Sequence, residues 1–348
     1  MRTIQLGRSG IEVTDYCLGT MTYGAQTPEA DAHRQLSAAA AAGITFIDTA
    51  EMYPVNPIRP ETVGLTERII GNWLAQAPAH RDAFRIATKA AGFNEGFVRQ
   101  GLPVTGATFT EAFEGSLKRL QTDYIDLYQL HWPNRGHYHF RQMWSYDPSH
   151  QIRAETIAHM EDVLTAAQAL IDAGKMGAFG LSNETAWGTA QWVNTSDRLG
   201  LPRVASIQNE YSLLYRTYDT DLAELAVNED VLLLAYSPLA VGILTGKYQG
   251  GAIPAGSRLA IQEEPSGRTT PRAFAATDAY HAIARRHGID PVHMSLAFTV
   301  QRPFPVATIF GATTQAQLDH ILAGLDTHLG TEILGEINAT HRLHAMPF

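Results

Sequence analysis

Short runs of β-branched and large apolar residues alternate along this chain with longer stretches in which apolar positions return every three or four residues. The short runs predict strands at 17–19, 46–48, 85–88, 126–130, 178–181, 206–208, 232–236 and 308–310. Between them, 28–42 and 153–173 have helical periodicity, with Gly43 and Gly174 where the left-handed residue that ends a helix falls. Strand and helix in strict alternation imply parallel strands joined by helical crossovers. Eight such units without a break in composition predict one closed (β/α)₈ barrel of the TIM type, a single domain over 1–348. Ahead of it, residues 3–6 and 11–14 flank Gly7-Arg8-Ser9-Gly10, which predicts a β-hairpin placed to plug one barrel end. Two segments are too long for simple connections, 132–151 and 246–271. Long loops of this kind, at the C-terminal face of the barrel, line or cover binding sites.

Composition narrows the function. The chain has 348 residues, 45% hydrophobic and 18% charged, which is globular rather than disordered. A net charge of -9 argues against nucleic-acid and anionic-membrane surfaces, both of which require a basic face. A small-molecule partner fits better. The single cysteine, Cys17, lies in an apolar run and reads as an inert buried thiol. The N-terminal segment lacks the apolar core of a signal peptide and no 18-residue apolar run occurs, so a cytoplasmic location is expected.

Barrel chemistry gathers at the C-terminal strand ends. Asp48 ends the second predicted barrel strand, with Tyr53 five residues on; Lys89 follows the third strand and His131 the fourth. These types form a working set. A tyrosine can protonate an oxygen that is becoming an alkoxide, and an adjacent ammonium such as Lys89 lowers the cost of the phenolate. A carboxylate such as Asp48 keeps a buried lysine charged, and a histidine such as His131 can donate to the carbonyl oxygen.

In these residues, and in Gly19-Thr20-Met21, Asp48-Thr49-Ala50-Glu51-Met52-Tyr53, Thr88-Lys89, the run 116–127, Gly180-Leu181-Ser182-Asn183, Gln208-Asn209-Glu210-Tyr211-Ser212 and Tyr236-Ser237-Pro238-Leu239, the chain resembles the aldo-keto reductases over nearly its whole length. The 53–56, 71–74 and 182–185 segments are most similar to the Tas-type branch, itself similar to the potassium-channel β subunits. The resemblance implies NADP(H)-dependent interconversion of a carbonyl and its alcohol, with no metal. It implies Ser182, Asn183 and Gln208 at the nicotinamide amide, Tyr236 stacked on its ring, and Gly19, Thr20 and Met21 nearby. It implies Ser237, Leu239, Gly242, Lys247, Ser257 and Arg258, then Gly311, Thr313 and Gln317, around the phosphates. Lys247 and Arg258 suit a phosphate monoester, which favours NADP(H) over NAD(H). The last segment departs from the family's Gln-Leu-x-Glu-Asn pattern, because His320 replaces the carboxylate and Ile321 the asparagine.

Other readings compete. The same constellation in a nicotinamide-binding, redox-sensing or regulatory subunit would bind without much turnover. Glu51 and Glu210 could serve as the paired carboxylates of a barrel hydrolase. His137 and His139, with His131 and His150, have the alternation of a metal site, although surface or substrate-loop histidines account for them better. The aromatics Trp132, Tyr138, Phe140, Trp144 and Tyr146 form either the core of an ordered loop or the wall of a pocket. Tyr23, Met52 and Tyr211 are further candidates for that wall, which would suit a bulky aldehyde, ketone or secondary alcohol.

Overall fold

The structure is a computed structural model and describes residues 1–77, 79–262 and 267–348. Strands β1 (Thr3–Gln5) and β2 (Glu12–Thr14) pair antiparallel. Eight further strands follow: β3 (Tyr16–Gly19), β4 (Phe46–Asp48), β5 (Arg85–Ala90), β6 (Ile125–Leu130), β7 (Met176–Ser182), β8 (Val204–Glu210), β9 (Leu232–Tyr236) and β10 (Val306–Phe310). They close in chain order into a parallel barrel, with β10 paired back onto β3. Every predicted strand is present, several running a residue or two further than their most apolar core.

Period-two alternation sorts the strand residues between two environments. Leu18, Ile47, Ile86, Tyr128, Phe179, Ile207, Leu233 and Phe310 pack outward beneath the helices. Cys17, Phe46, Ala87, Leu127, Ala178, Leu232, Leu234 and Ala307 fill the interior, where burial pushes the Cys17 thiol up and leaves it protonated. The same alternation places Asp48, Lys89 and Gln129 two residues beyond Phe46, Ala87 and Leu127, on the interior face near the C-terminal strand ends. The catalytic candidates are thus an upward continuation of the apolar core.

The predicted helices appear at Glu29–Ala41 and Arg153–Asp172. Gly43 and Gly174 follow them at φ 85° and 69°, a conformation that a side chain disfavours, and their N–H groups close the last turns on Ala40 and Ile171. The β1–β2 hairpin lies across the N-terminal barrel end. Its Leu6 and Val13 join the interior cluster, and Gly7 sits so close to the Ala205 carbonyl that a Cβ would fall 2.6 Å from that oxygen. The plug predicted from the sequence is therefore in place. Residues 132–151 contain one turn of 3-10 helix, Gln142–Trp144; of 246–271, residues 263–266 lie outside the described residues. Among the described residues no helix is long and apolar enough to cross a membrane.

Candidate active site

The Lys89 side chain, with no exposed surface, donates from Nζ to Asp48 Oδ2 at 2.8 Å and to the Thr49 carbonyl at 2.6 Å. The second Asp48 oxygen accepts from Gln208 Nε2 at 2.8 Å, with Gln129 Nε2 further off at 3.5 Å. A buried ammonium is tolerable only with such compensation. The β4–β5 register brings the two strands together so that Asp48 and Lys89 meet, although 41 residues separate them in sequence.

Tyr53 is 8% exposed and packs with Met52, Val55 and Ala91, against Met21 and Trp132. The Lys89 ammonium lies over its ring, 4.9 Å from the centroid, and the His131 ring meets it edge-on at 5.7 Å. The sequence predicted that Lys89 would lower the Tyr53 pKa. In the structure burial, then the Asp48 carboxylate, push the phenol well above its ordinary value. Both hydrogen bonds that Lys89 makes go elsewhere, to Asp48 and Thr49. Burial, then the Lys89 charge, drive His131 well below the usual histidine range, so its ring is neutral near pH 7, and Nδ1 has no partner. A protonated phenol and a neutral imidazole thus meet at the strand ends.

A second chain of polar groups joins this site to β7, β8 and β9. Asn183, at φ 51° after β7, donates to the His131 carbonyl at 2.9 Å and to Ser182 Oγ at 3.1 Å, and accepts from the Tyr236 hydroxyl at 2.8 Å. Ser182 Oγ donates to the Gln208 carbonyl at 2.8 Å. After β9 the backbone turns through positive φ at Ser237, Ala240, Val241 and Gly242. Lys247 folds back over Gly242, where a Cβ would fall 2.9 Å from its Nζ. Among the described residues neither Lys247 nor Arg258 has a carboxylate within ion-pair distance, and the buried Ser257 hydroxyl has no partner. Beyond β10, Gly311 approaches the Gly19 carbonyl, and Gln317 accepts from both the N–H and the hydroxyl of Thr313 at 3.0 Å. Thr20 bonds to the Asp48 carbonyl at 2.8 Å, and Leu239 accepts from the Gly242 N–H. Unpaired cations beside a glycine turn and a free hydroxyl suit an anionic ligand.

Several side chains lie elsewhere than the sequence suggested. Tyr23 and Tyr211 have no exposed surface. Tyr23 sits in the outer core, and Tyr211 stacks on Phe298 and donates to Asp219, so neither forms a pocket wall. Trp144 is 68% exposed, while Tyr138 packs on Tyr146. Met52 and Trp132 do border Tyr53, and Trp132 meets Phe140 edge-on. Glu51 is occupied by Arg99 and the Ala91 N–H, and Glu210 by Arg141 and Arg268, so the two carboxylates are not poised as a hydrolytic pair. His137 and His139 are buried rather than on the surface.

His139 gives a pH signature. Its Nε2 donates to the Glu184 carbonyl at 2.9 Å, and burial holds its pKa down at about 3. Between that value and the unfolded value of about 6.5 the unfolded chain binds a proton that the folded chain refuses. Stability from the neutral ring is therefore complete above the unfolded value and is lost as pH falls towards 3. In urea titrations from pH 7 to 4, His139→Gln should flatten the pH dependence relative to the parent by on the order of 1 kcal/mol per pH unit. Parallel curves would show that the ring does not fold neutral.

The family model described as Aldo/keto reductase family matches residues 16–342. The chain belongs to the aldo/keto reductase family. It is 44% identical over 353 residues to "Protein tas" of Escherichia coli (strain K12), covering 100% of this chain and 99% of that protein. It is 30% identical over 349 residues to "Uncharacterized oxidoreductase YrpG" of Bacillus subtilis (strain 168), covering 97% and 95%. Over 331 residues it is 28% identical to "Probable voltage-gated potassium channel subunit beta" of Arabidopsis thaliana, covering 94% and 92%. Membership in the aldo/keto reductase family implies oxidoreductase chemistry with a nicotinamide cofactor.

For this aldo/keto reductase, sequence reasoning missed the ion pairs that hold the long loops. Arg135 pairs with Glu184, which also takes the Trp192 indole N–H, and Arg141 and Arg268 converge on Glu210. Partners 49 to 69 residues apart leave no local pattern to read.

Proposed function

We propose that this chain is an NADP(H)-dependent reductase of a bulky aldehyde or ketone, working in reverse on the alcohol, with Tyr53 as the group that gives and takes the proton. The observation that carries this reading is the meeting of Tyr53 with the Lys89 ammonium over its ring and the neutral His131 at its edge. The cofactor, when bound, supplies or accepts the hydride at nicotinamide C4. Ser182, Asn183 and Gln208 would hold its amide and Tyr236 its ring face, while Lys247, Ser257 and Arg258 would take the 2′-phosphate and Gly311, Thr313 and Gln317 lie alongside.

The substrate carbonyl oxygen sits between Tyr53 and His131. His131 donates to it and orients it, and Tyr53 passes its proton to that oxygen as negative charge develops there. The raised pKa keeps the proton on Tyr53 until the oxygen becomes basic enough to take it. Lys89 then faces the phenolate that is left, and Asp48 keeps Lys89 in position. Trp132 and Met52, with Phe140 beyond, give the mouth an apolar lining that favours a bulky substrate.

The phosphate assignment has a direct test. Replacing Lys247 and Arg258 together by Ala should weaken NADP⁺ binding about 10²–10⁴-fold, the cost of two charge-assisted contacts, and leave NAD⁺ binding nearly unchanged, both followed by protein fluorescence. Equal losses for the two cofactors would remove the 2′-phosphate from these residues. Similarity to a channel β subunit supports the second reading, a nicotinamide-binding regulatory subunit. Cofactor exchange slower than carbonyl turnover would select it.

A further inference from the structure

We propose that Asp290, His293 and His320 form a binding site for a divalent cation of the imidazole-preferring class, with Zn²⁺ as its type. None of the three belongs to the catalytic set or to the phosphate-facing strip. One candidate ligand atom from each lies within 4.8 Å of the other two. Zinc bonds to nitrogen and oxygen of about 2.0–2.2 Å set tetrahedral ligands roughly 3.4 Å apart. The cluster needs only a small contraction to reach that spacing.

Each residue is prepared for the role by local structure. Asp290 is the N-cap of the helix Pro291–Val300, and its Oδ1 accepts from the N–H groups of Val292 at 2.8 Å and His293 at 3.2 Å. These bonds fix the carboxylate. Among the described residues no donor reaches its Oδ2, so that oxygen is available to a cation. His293, in the first turn of the same helix, donates from Nε2 to the carbonyl of His320 at 2.7 Å. In the neutral ring the lone pair is then on Nδ1. A ligating imidazole characteristically spends its other N–H on a carbonyl or carboxylate, which fixes ring orientation and raises basicity. That supporting contact is already made here. The ring is also seated hard against Gly324, where a Cβ would overlap it.

His320 comes from another helix, Gln315–Leu322, and its Nε2 lies 3.2 Å from Asp290 Oδ1. Its ring stacks on that of His293, centroids 4.9 Å apart and planes inclined by 27°. The side chain is half-exposed and can shift the short distance that coordination requires, with solvent completing the shell. Two imidazoles and one carboxylate match Zn²⁺, Ni²⁺ or Cu²⁺, whereas Ca²⁺ and Mg²⁺ demand mainly oxygen. A bound ion would tie the start of Pro291–Val300 to the helix Gln315–Leu322, and so brace the segment following β10. It would raise the stability of the folded chain by mass action.

The test uses the full-length chain after treatment with a chelator and a desalting step, titrated with Zn²⁺ alone by calorimetry and with Co²⁺ alone by visible absorption. The expected result is one saturable site, with a Co²⁺ band, and an affinity that drops about tenfold or more in His293→Gln, in His320→Gln and in Asp290→Asn. Asn still caps a helix, so the last variant removes the anionic ligand without removing the cap. A thermal midpoint in each variant close to that of the metal-free parent establishes that the fold is intact. No saturable binding by the parent would overturn the proposal. So would unchanged affinity in the three folded variants, which would assign the ion to other side chains such as His137.

Discussion

Phe in place of Tyr53 should cut carbonyl turnover about 10²–10⁴-fold, the range that removal of a positioned proton donor produces, while nicotinamide binding stays close to that of the parent. Phe keeps the ring that lies beneath the Lys89 ammonium and against His131, and it removes only the hydroxyl. Loss of activity would then report proton transfer rather than collapse of the pocket. Steady-state reduction of an aromatic aldehyde with NADPH gives kcat, and fluorescence titration gives cofactor affinity. The fall should appear in kcat, since the missing proton is needed only as charge builds on the substrate oxygen. Undiminished turnover would take the proton from Tyr53 and turn attention to His131 at its edge.

The second large effect is on stability. Glu210, at the end of β8, accepts from Arg141 at 2.8 Å and from Arg268 at 2.9 Å, and all three side chains are at least nine-tenths buried. Arg141 belongs to one long loop over the barrel mouth and Arg268 to the other. Glu210→Ala would remove the carboxylate on which the buried Arg141 and Arg268 guanidiniums converge. Breaking a buried pair from one side costs about 3–5 kcal/mol, so the urea midpoint should fall substantially. Limited proteolysis should speed up within 132–151 as that loop loses its anchor. Glu210→Gln, which keeps an acceptor but not the charge, should fall between. A change below about 1 kcal/mol for Ala would mean that water already reaches these charges.

The barrel was legible because its strands are short apolar runs whose alternation continues into Asp48, Lys89 and Gln129. Position along a strand and side of the sheet follow from the same period of two. The meeting of Asp48 with Lys89 was legible for that reason. The state of Tyr53 was not: its high pKa arises from burial among Met52, Val55 and Ala91 and then from the Asp48 carboxylate, while Lys89 spends its hydrogen bonds on Asp48 and Thr49. Residue types give the possible partners of a cation, and only packing decides which one it takes. Tyr23 and Tyr211 teach the same point in reverse. Both lie close in sequence to strand ends, yet the chain turns them outward beneath the helices. Asp290, His293 and His320 are separated by up to 30 residues and meet only through helix packing.

The N-terminal hairpin also bears on the order in which the chain can be built. Its anchors come late: Gly7 lies on Ala205 and Asp230, Arg8 pairs with Asp230, Arg2 reaches the Val300 carbonyl, and the first residue pairs with Asp326, 325 positions away. A ribosome makes the hairpin before the barrel strands on which it sits, and its seat is finished only once Ala205, Asp230 and Val300 have emerged. Until then Leu6 and Val13 have no interior to enter, so residues made ahead of the barrel are among the last to find their contacts.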